Sequence, residues 1–156
     1  MNTELCNMCM ISDQAGRVLV QDRLPKPTNG WCGLTFPGGH VEPGESVVVS
    51  VIREVREETG LTISDLVPAG YIQWYNPGKQ SNYFVFLFKT STFTGELKDS
   101  HEGAVSWMTL PDMLTGHLAP NMKAYIEVFQ NDAIPQAFGI SDKGLVLIEK
   151  TGKTGE

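Results

Sequence analysis

The chain has 156 residues, 41% hydrophobic and 19% charged, with a net charge of −6. This length suits one domain spanning residues 1–156 with a real core, and the composition excludes a disordered chain. The acidic balance argues against a nucleic-acid polymer as partner, which would need a basic face, but leaves room for a small anion held through a cation.

The N-terminal "MNTELCNMCM" lacks the basic start and long apolar core of a leader peptide, and no apolar run reaches the length of a membrane span. A cytoplasmic chain without a membrane partner is expected. A first strand is expected around Leu5 to Ile11. It carries Cys6 and Cys9, a C-x-x-C pair without a second Cys/His pair at zinc spacing, so buried structural thiols are expected. Cys32 is assigned to the core as well. A turn at "SDQAG" leads to a strand "RVLVQDR", a proline-rich loop "LPKPTNG" and a short strand "WCGLTF". Residues 46 to 59 give the clearest helical pattern. Val48, Val51, Ile52, Val55 and Thr59 make one core-facing stripe, and Gly60 stands where a helix ends. Beyond it, "GYIQWY" and "NYFVFLFKT" read as a hairpin turning at Pro77-Gly78. The continuous apolar run Tyr83 to Phe88 marks a central strand covered on both faces. A strand "AVSWMTL", helical segments "PDML" and "NMKAYIEVF", and a last strand from Gly144 to Ile148 complete the order. The pattern is α/β, a sheet between helical layers.

The helix raises a chemical question. Glu54, Glu57 and Glu58 fall on an arc away from the predicted stripe, in the C-terminal half, where the helix dipole disfavours negative charge. A solvated acidic face is the plain explanation. Against it, the glycine-rich "FPGGHVEPGE" precedes the helix and allows close backbone approach to a ligand. Grouped carboxylates suit Mg²⁺ or Mn²⁺, and Arg53 is spaced to pair with Glu57 one turn on.

These residues resemble the Nudix box, G-x5-E-x7-R-E-U-x-E-E-x-G-U with U aliphatic. It is filled by Gly39, Glu45, Arg53, Glu54, Val55, Glu57, Glu58, Gly60 and Leu61 without departure. The resemblance implies a Nudix fold, an α/β/α sandwich with a mixed β-sheet, and Mg²⁺-dependent attack of water on a phosphoanhydride. It implies metal ligands at Glu54, Glu57 and Glu58 and at the carbonyl of Gly38, with Glu54 also assigned as base. Glu45 is expected to be structural or an outer partner. A further acid comes from the loop "DSHEGAVSWM", where Glu102 is the candidate for the site and Asp99 its competitor. His40, His101 and His117 have no partner spacing and are not proposed as bases.

Outside the box the likeness is to MutT-type nucleoside triphosphatases, which act on oxidised purine nucleotides such as 8-oxo-dGTP. It implies substrate contacts at Arg23, Phe36 and Asn121. Asn121 has two open readings, since its amide can read a purine edge or cap the helix that begins there. Trp31, Trp74, Tyr75 and Phe86 are each assigned to the core, with Trp74 and Tyr75 at the hairpin tip the best exceptions for base stacking. Dinucleotide polyphosphates, nucleotide sugars, ADP-ribose and a non-catalytic nucleotide-binding Nudix module stay open as alternatives. The tail "GLVLIEK" could serve as an interface strand in a homodimer.

Overall fold

The computed structural model describes residues 1–27 and 30–155, so Thr28 and Asn29 of the proline-rich loop lie outside the described residues. β1 (Asn2–Ile11) runs parallel to β6 (Ser81–Thr90), which is antiparallel to β5 (Val67–Asn76). β5 in turn lies parallel to β9 (Gln136–Ile140). With β10 (Leu145–Ile148) and β11 (Thr154–Gly155) the mixed sheet has the order β1-β6-β5-β9-β10-β11.

Parallel neighbours need a long crossover between them, which places covering elements on the sheet faces. Side chains divide accordingly. Cys6 and Met10 of β1 join Val85 and Leu87 of β6 in one core, while Cys9 and Ile11 join Phe88 in the other. Both of these cysteines are buried free thiols, as expected, whereas Cys32 is only half-buried. Helix α3 (Met122–Gln130) covers the first core with Met122, Ile126 and Phe129. Helix α1 (Val47–Thr59) and β4 (Leu61–Ser64) close the second with Val51, Val55, Leu61 and Ile63.

A smaller antiparallel sheet, β3-β2-β8, combines β2 (Val18–Arg23) with β3 (Gly33–Thr35) and β8 (Gly103–Met108). β2 contributes Val18 and Val20 to the first core and Leu19 to the second, so it sits at the seam between them. Helix α2 (Leu110–Thr115) follows β8 and buries Met113. Among the described residues, no helix is long and apolar enough to cross a membrane.

Local chemistry sets the limits of α1. The Ser46 hydroxyl accepts from the Val49 N–H at 3.1 Å, and Gly60 takes φ 82°, the left-handed conformation that ends a helix with least strain in glycine. The buried face differs from the expected stripe. Val48 and Val49 are 45% and 56% exposed. Ser50 is fully buried instead, accepting from Asn7 Nδ2 at 2.8 Å and donating to the Val47 carbonyl. The run "VVVSVI" is apolar almost all round the wheel, so it does not fix the rotation of the helix about its axis. With Val48 outside, Glu58 turns inward and is only 5% exposed.

The hairpin of β5 and β6 forms as expected, and so do the strand leading to α2 and the strand within the tail. Three features were not anticipated. β1 begins at Asn2, β4 pairs with β7 (Thr92–Gly95), and β9 inserts beside β5.

Candidate active site

The end of α1 nearest the glycine loop is organised by Arg53. Its guanidinium holds Glu45 through two parallel bonds, Nε to Oε2 at 2.7 Å and Nη2 to Oε1 at 2.9 Å. Nη1 reaches Glu54 at 3.0 Å and Glu57 at 3.3 Å, and Nη2 donates to the His40 carbonyl at 3.1 Å. Arg53 therefore does pair with Glu57, but its stronger, forked partner is Glu45. That bond holds the Glu45 carboxyl below its usual range.

Two acids of the helix turn away from solvent. Glu58 is 5% exposed and accepts from the Gly38 N–H at 2.9 Å. Burial pushes its carboxyl up to about 8; the Gly38 N–H and Arg23 oppose the rise, while Glu54 and Glu102 add to it. Burial also raises Glu54, against the pull of Arg53. Gly39 lies hard against Glu54, since a Cβ there would collide with the carboxylate carbon. A side chain at Gly39 would push that carboxylate aside, whereas one at Gly38 would strike the Asn7 and Met8 backbone, so the strict packing demand falls on Gly38.

Glu54, Glu58, Gly38 and Gly39 face a cavity of about 420 Å³. Glu102 lines it too, paired with Lys26 at 2.9 Å. Asp99 is engaged elsewhere, accepting from the Val105 N–H at 3.0 Å, which separates the two loop acids. Glu57 is not brought in. Its side chain is 58% exposed, on the outer side of Arg53.

Arg23 and Asn121 line the same cavity, as does Phe36. Phe36 is 2% exposed and packs edge-on against Phe129 at 5.3 Å between centroids, so it forms floor rather than an open stacking face. For Asn121 the geometry counts against the capping reading. It precedes α3 with φ 66°, makes no side-chain cap bond, and turns towards the cavity. Capping needs extended backbone at that position. The stacking expectation reverses. Trp74 packs on the first core and donates to the Tyr125 hydroxyl at 3.3 Å, and neither it nor Tyr75 lines the cavity. Trp31 does, with the Arg23 guanidinium 3.8 Å above its ring. In the sequence it carried no signal beyond a single tryptophan after a loop.

The chain matches the family model of the NUDIX domain over residues 6–130. It belongs to the Nudix family. It is 38% identical over 101 residues to an uncharacterised Nudix hydrolase, YvcI, of Bacillus subtilis, covering 62% of this chain and 63% of that one, just under two thirds of the relative's length. A second Bacillus subtilis protein, carrying the provisional name 8-oxo-dGTP diphosphatase, is 33% identical over 112 residues, 71% of this chain and 72% of that one. Among solved structures, the MutT protein of Bacillus halodurans superposes with a TM-score of 0.69 at 27% identity, covering 98% of this chain and 95% of that one.

Nudix hydrolases generally use divalent metals, and the donor set here fits one in chemistry. Glu54 and Glu58 are hard oxygen donors, and each is disfavoured as an anion by burial and by the other acids around it. Among the described residues no three acid, thiol or imidazole donors already form a closed metal cage. The cation the site would take is one held by a few carboxylates plus substrate oxygens and water, the habit of Mg²⁺.

Proposed function

We propose that this Nudix hydrolase cleaves a nucleoside triphosphate to the monophosphate and pyrophosphate with Mg²⁺ or Mn²⁺, preferring an oxidised purine such as 8-oxo-dGTP. One observation carries the reading: a single cavity holds Glu54, Glu58 and Glu102 together with Arg23, Trp31 and Asn121. That combination offers acids for a cation, a guanidinium for phosphate and an amide for a base edge. The relative with the 8-oxo-dGTP diphosphatase name supports the substrate class.

Glu54, Glu58 and Glu102 would hold the cation, with the Gly38 backbone beside them and Glu57 reaching it only by turning in from Arg53. When bound, the cation neutralises charge on the non-bridging phosphate oxygens. Arg53 keeps the Glu54 carboxylate in place. Held in place by that bond, Glu54 accepts a proton from the attacking water as the water oxygen bonds to phosphorus and the bridging oxygen leaves with pyrophosphate. Asn121 reads the base, and residues 1–156 act together as one domain on a free nucleotide rather than a polymer.

A panel of nucleotides assayed for pyrophosphate release with and without Mg²⁺ tests this. Metal-dependent turnover with higher kcat/KM on 8-oxo-dGTP than on dGTP is expected. Equal values on the two end the oxidised-purine preference, and turnover confined to ADP-ribose, nucleotide sugars or dinucleotide polyphosphates overturns the substrate class.

A further inference from the structure

The polar side chains deep in this cavity differ in how completely the protein satisfies them. Asn7, 2% exposed, is paired at both ends: Nδ2 donates to Ser50 and Oδ1 accepts from the Gly39 N–H at 3.0 Å. The Thr35 hydroxyl donates to the Phe36 carbonyl. Gln21 is the exception. It is also 2% exposed and lines the cavity, yet its Nε2 is buried with no hydrogen-bond partner.

The placement on β2 sets the neighbour of this amide. Gln21 and Arg23 are two residues apart, so their side chains share one face of the strand. Arg23 Nε is the other buried nitrogen without a partner among the described residues. The cavity wall thus carries two adjacent donor groups that the protein leaves unanswered, among apolar neighbours such as Phe36, Val85 and Met122. An unpaired buried amide costs about 1–3 kcal/mol, and an apolar side chain of the same shape would avoid that cost.

We propose that the Gln21 carboxamide is a substrate-recognition group, donating from Nε2 to an oxo oxygen or ring nitrogen on the base of the bound nucleotide. The assignment rests on the nucleotide reading above. It makes Gln21 a determinant of specificity: a base presenting an acceptor to this wall is favoured over one presenting an amino group.

Gln21→Met keeps the length of the side chain and removes the donor, and Gln21→Glu keeps its outline while changing its hydrogen-bonding character. Steady-state kinetics on oxo-bearing and amino-bearing purine triphosphates, with melting temperatures alongside, read out the result. In Gln21→Met the melting temperature should hold or rise, because an orphaned amide has gone. KM for the preferred nucleotide should rise about tenfold or more, the scale of one buried hydrogen bond, with kcat changed less and the ratio between the two purine classes compressed. Wild-type KM and wild-type discrimination in Gln21→Met overturn the assignment and leave the proposed function standing. If Gln21→Met fails to fold, Gln21→Glu decides by the same readout, with unchanged KM and discrimination again the overturning result. A wild-type protein that turns over no nucleotide overturns the function itself and this assignment with it.

Discussion

Two polar regions meet at the cavity and are built on opposite plans. Around Arg53 the protein supplies both sides of each interaction: guanidinium, three carboxylates and a backbone carbonyl form a network complete in itself. On β2, Gln21 and Arg23 present buried nitrogens with no answering acceptor. Glu58 belongs with the second kind, an acid turned inward with one backbone N–H against two like charges, Glu54 and Glu102. The self-contained network gives shape and orientation. The unanswered groups are where a partner from outside would find donors free.

The largest expected effect separates two acids of the Arg53 network, one facing the cavity and one facing solvent. Glu54→Gln should lower kcat/KM by about 100-fold or more if Glu54 takes the proton, with little change in melting temperature. Glu57→Gln, on the exposed side of Arg53, should cost less. Equal losses would show that Glu57 swings into the cavity when metal binds, and the comparison would need redrawing.

Breaking the complete network should show first as lost stability. Arg53→Ala leaves Glu45 and Glu54 without their shared partner, and a fall in melting temperature of about 4–8 °C is expected. Arg53→Lys should not restore it, because an ammonium cannot reproduce the fork to Glu45. Full recovery with lysine would mean that charge alone, not geometry, organises this end of the helix.

A pH effect follows from Glu58. Its folded value of about 8 lies above the ordinary 4.5. Below 4.5 both folded and unfolded chains hold the proton, so Glu58 imposes no penalty. As pH rises towards 8 the unfolded chain gives the proton up first, and the fold loses stability relative to it. The metal-free protein should therefore melt at progressively lower temperature between pH 5 and pH 8, and Glu58→Gln should flatten that slope. At pH 7, Mg²⁺ binding should release a proton, visible by calorimetry in buffers of different ionisation enthalpy. An identical slope in wild type and Glu58→Gln would contradict the burial argument.

The smallest effects lie at Asn121 and Val48. Asn121→Gly removes the amide at a left-handed position that glycine accepts freely, so the melting temperature should stay level or rise slightly while base preference weakens. A clear drop in melting temperature with intact preference would return Asn121 to a structural role. Val48→Ser, on the solvent side of α1, should change stability by no more than about 0.5 kcal/mol in thermal melts.

The sequence was most legible where pattern and chemistry agree. The β5–β6 hairpin, the limits of α1 at Ser46 and Gly60, and the acid spacing of the box all rest on local rules. Helix rotation was not readable because "VVVSVI" offers an apolar residue to almost any neighbour; only tertiary contact with Asn7 selects Ser50 as the inward position. β4 was hidden because four residues after a helix give two inward side chains, Leu61 and Ile63, too few to establish a period. Trp31 and Gln21 could not be picked out, since their importance lies in what faces them across the fold: Arg23 for one, an absence of partners for the other.

β9 has a consequence for how this protein tolerates shortening. The family match stops at residue 130, but residues 136–140 pair with Tyr71–Tyr75 along the C-terminal half of β5. A chain cut after Gln130 would keep every acid of the box, yet leave the β5 backbone as an open rim beside Trp74. Such a rim is a template for strands of other molecules. The shortened protein should self-associate in light scattering rather than stay monodisperse, so the segment beyond the family match acts as a guard on the sheet as much as an extension of it.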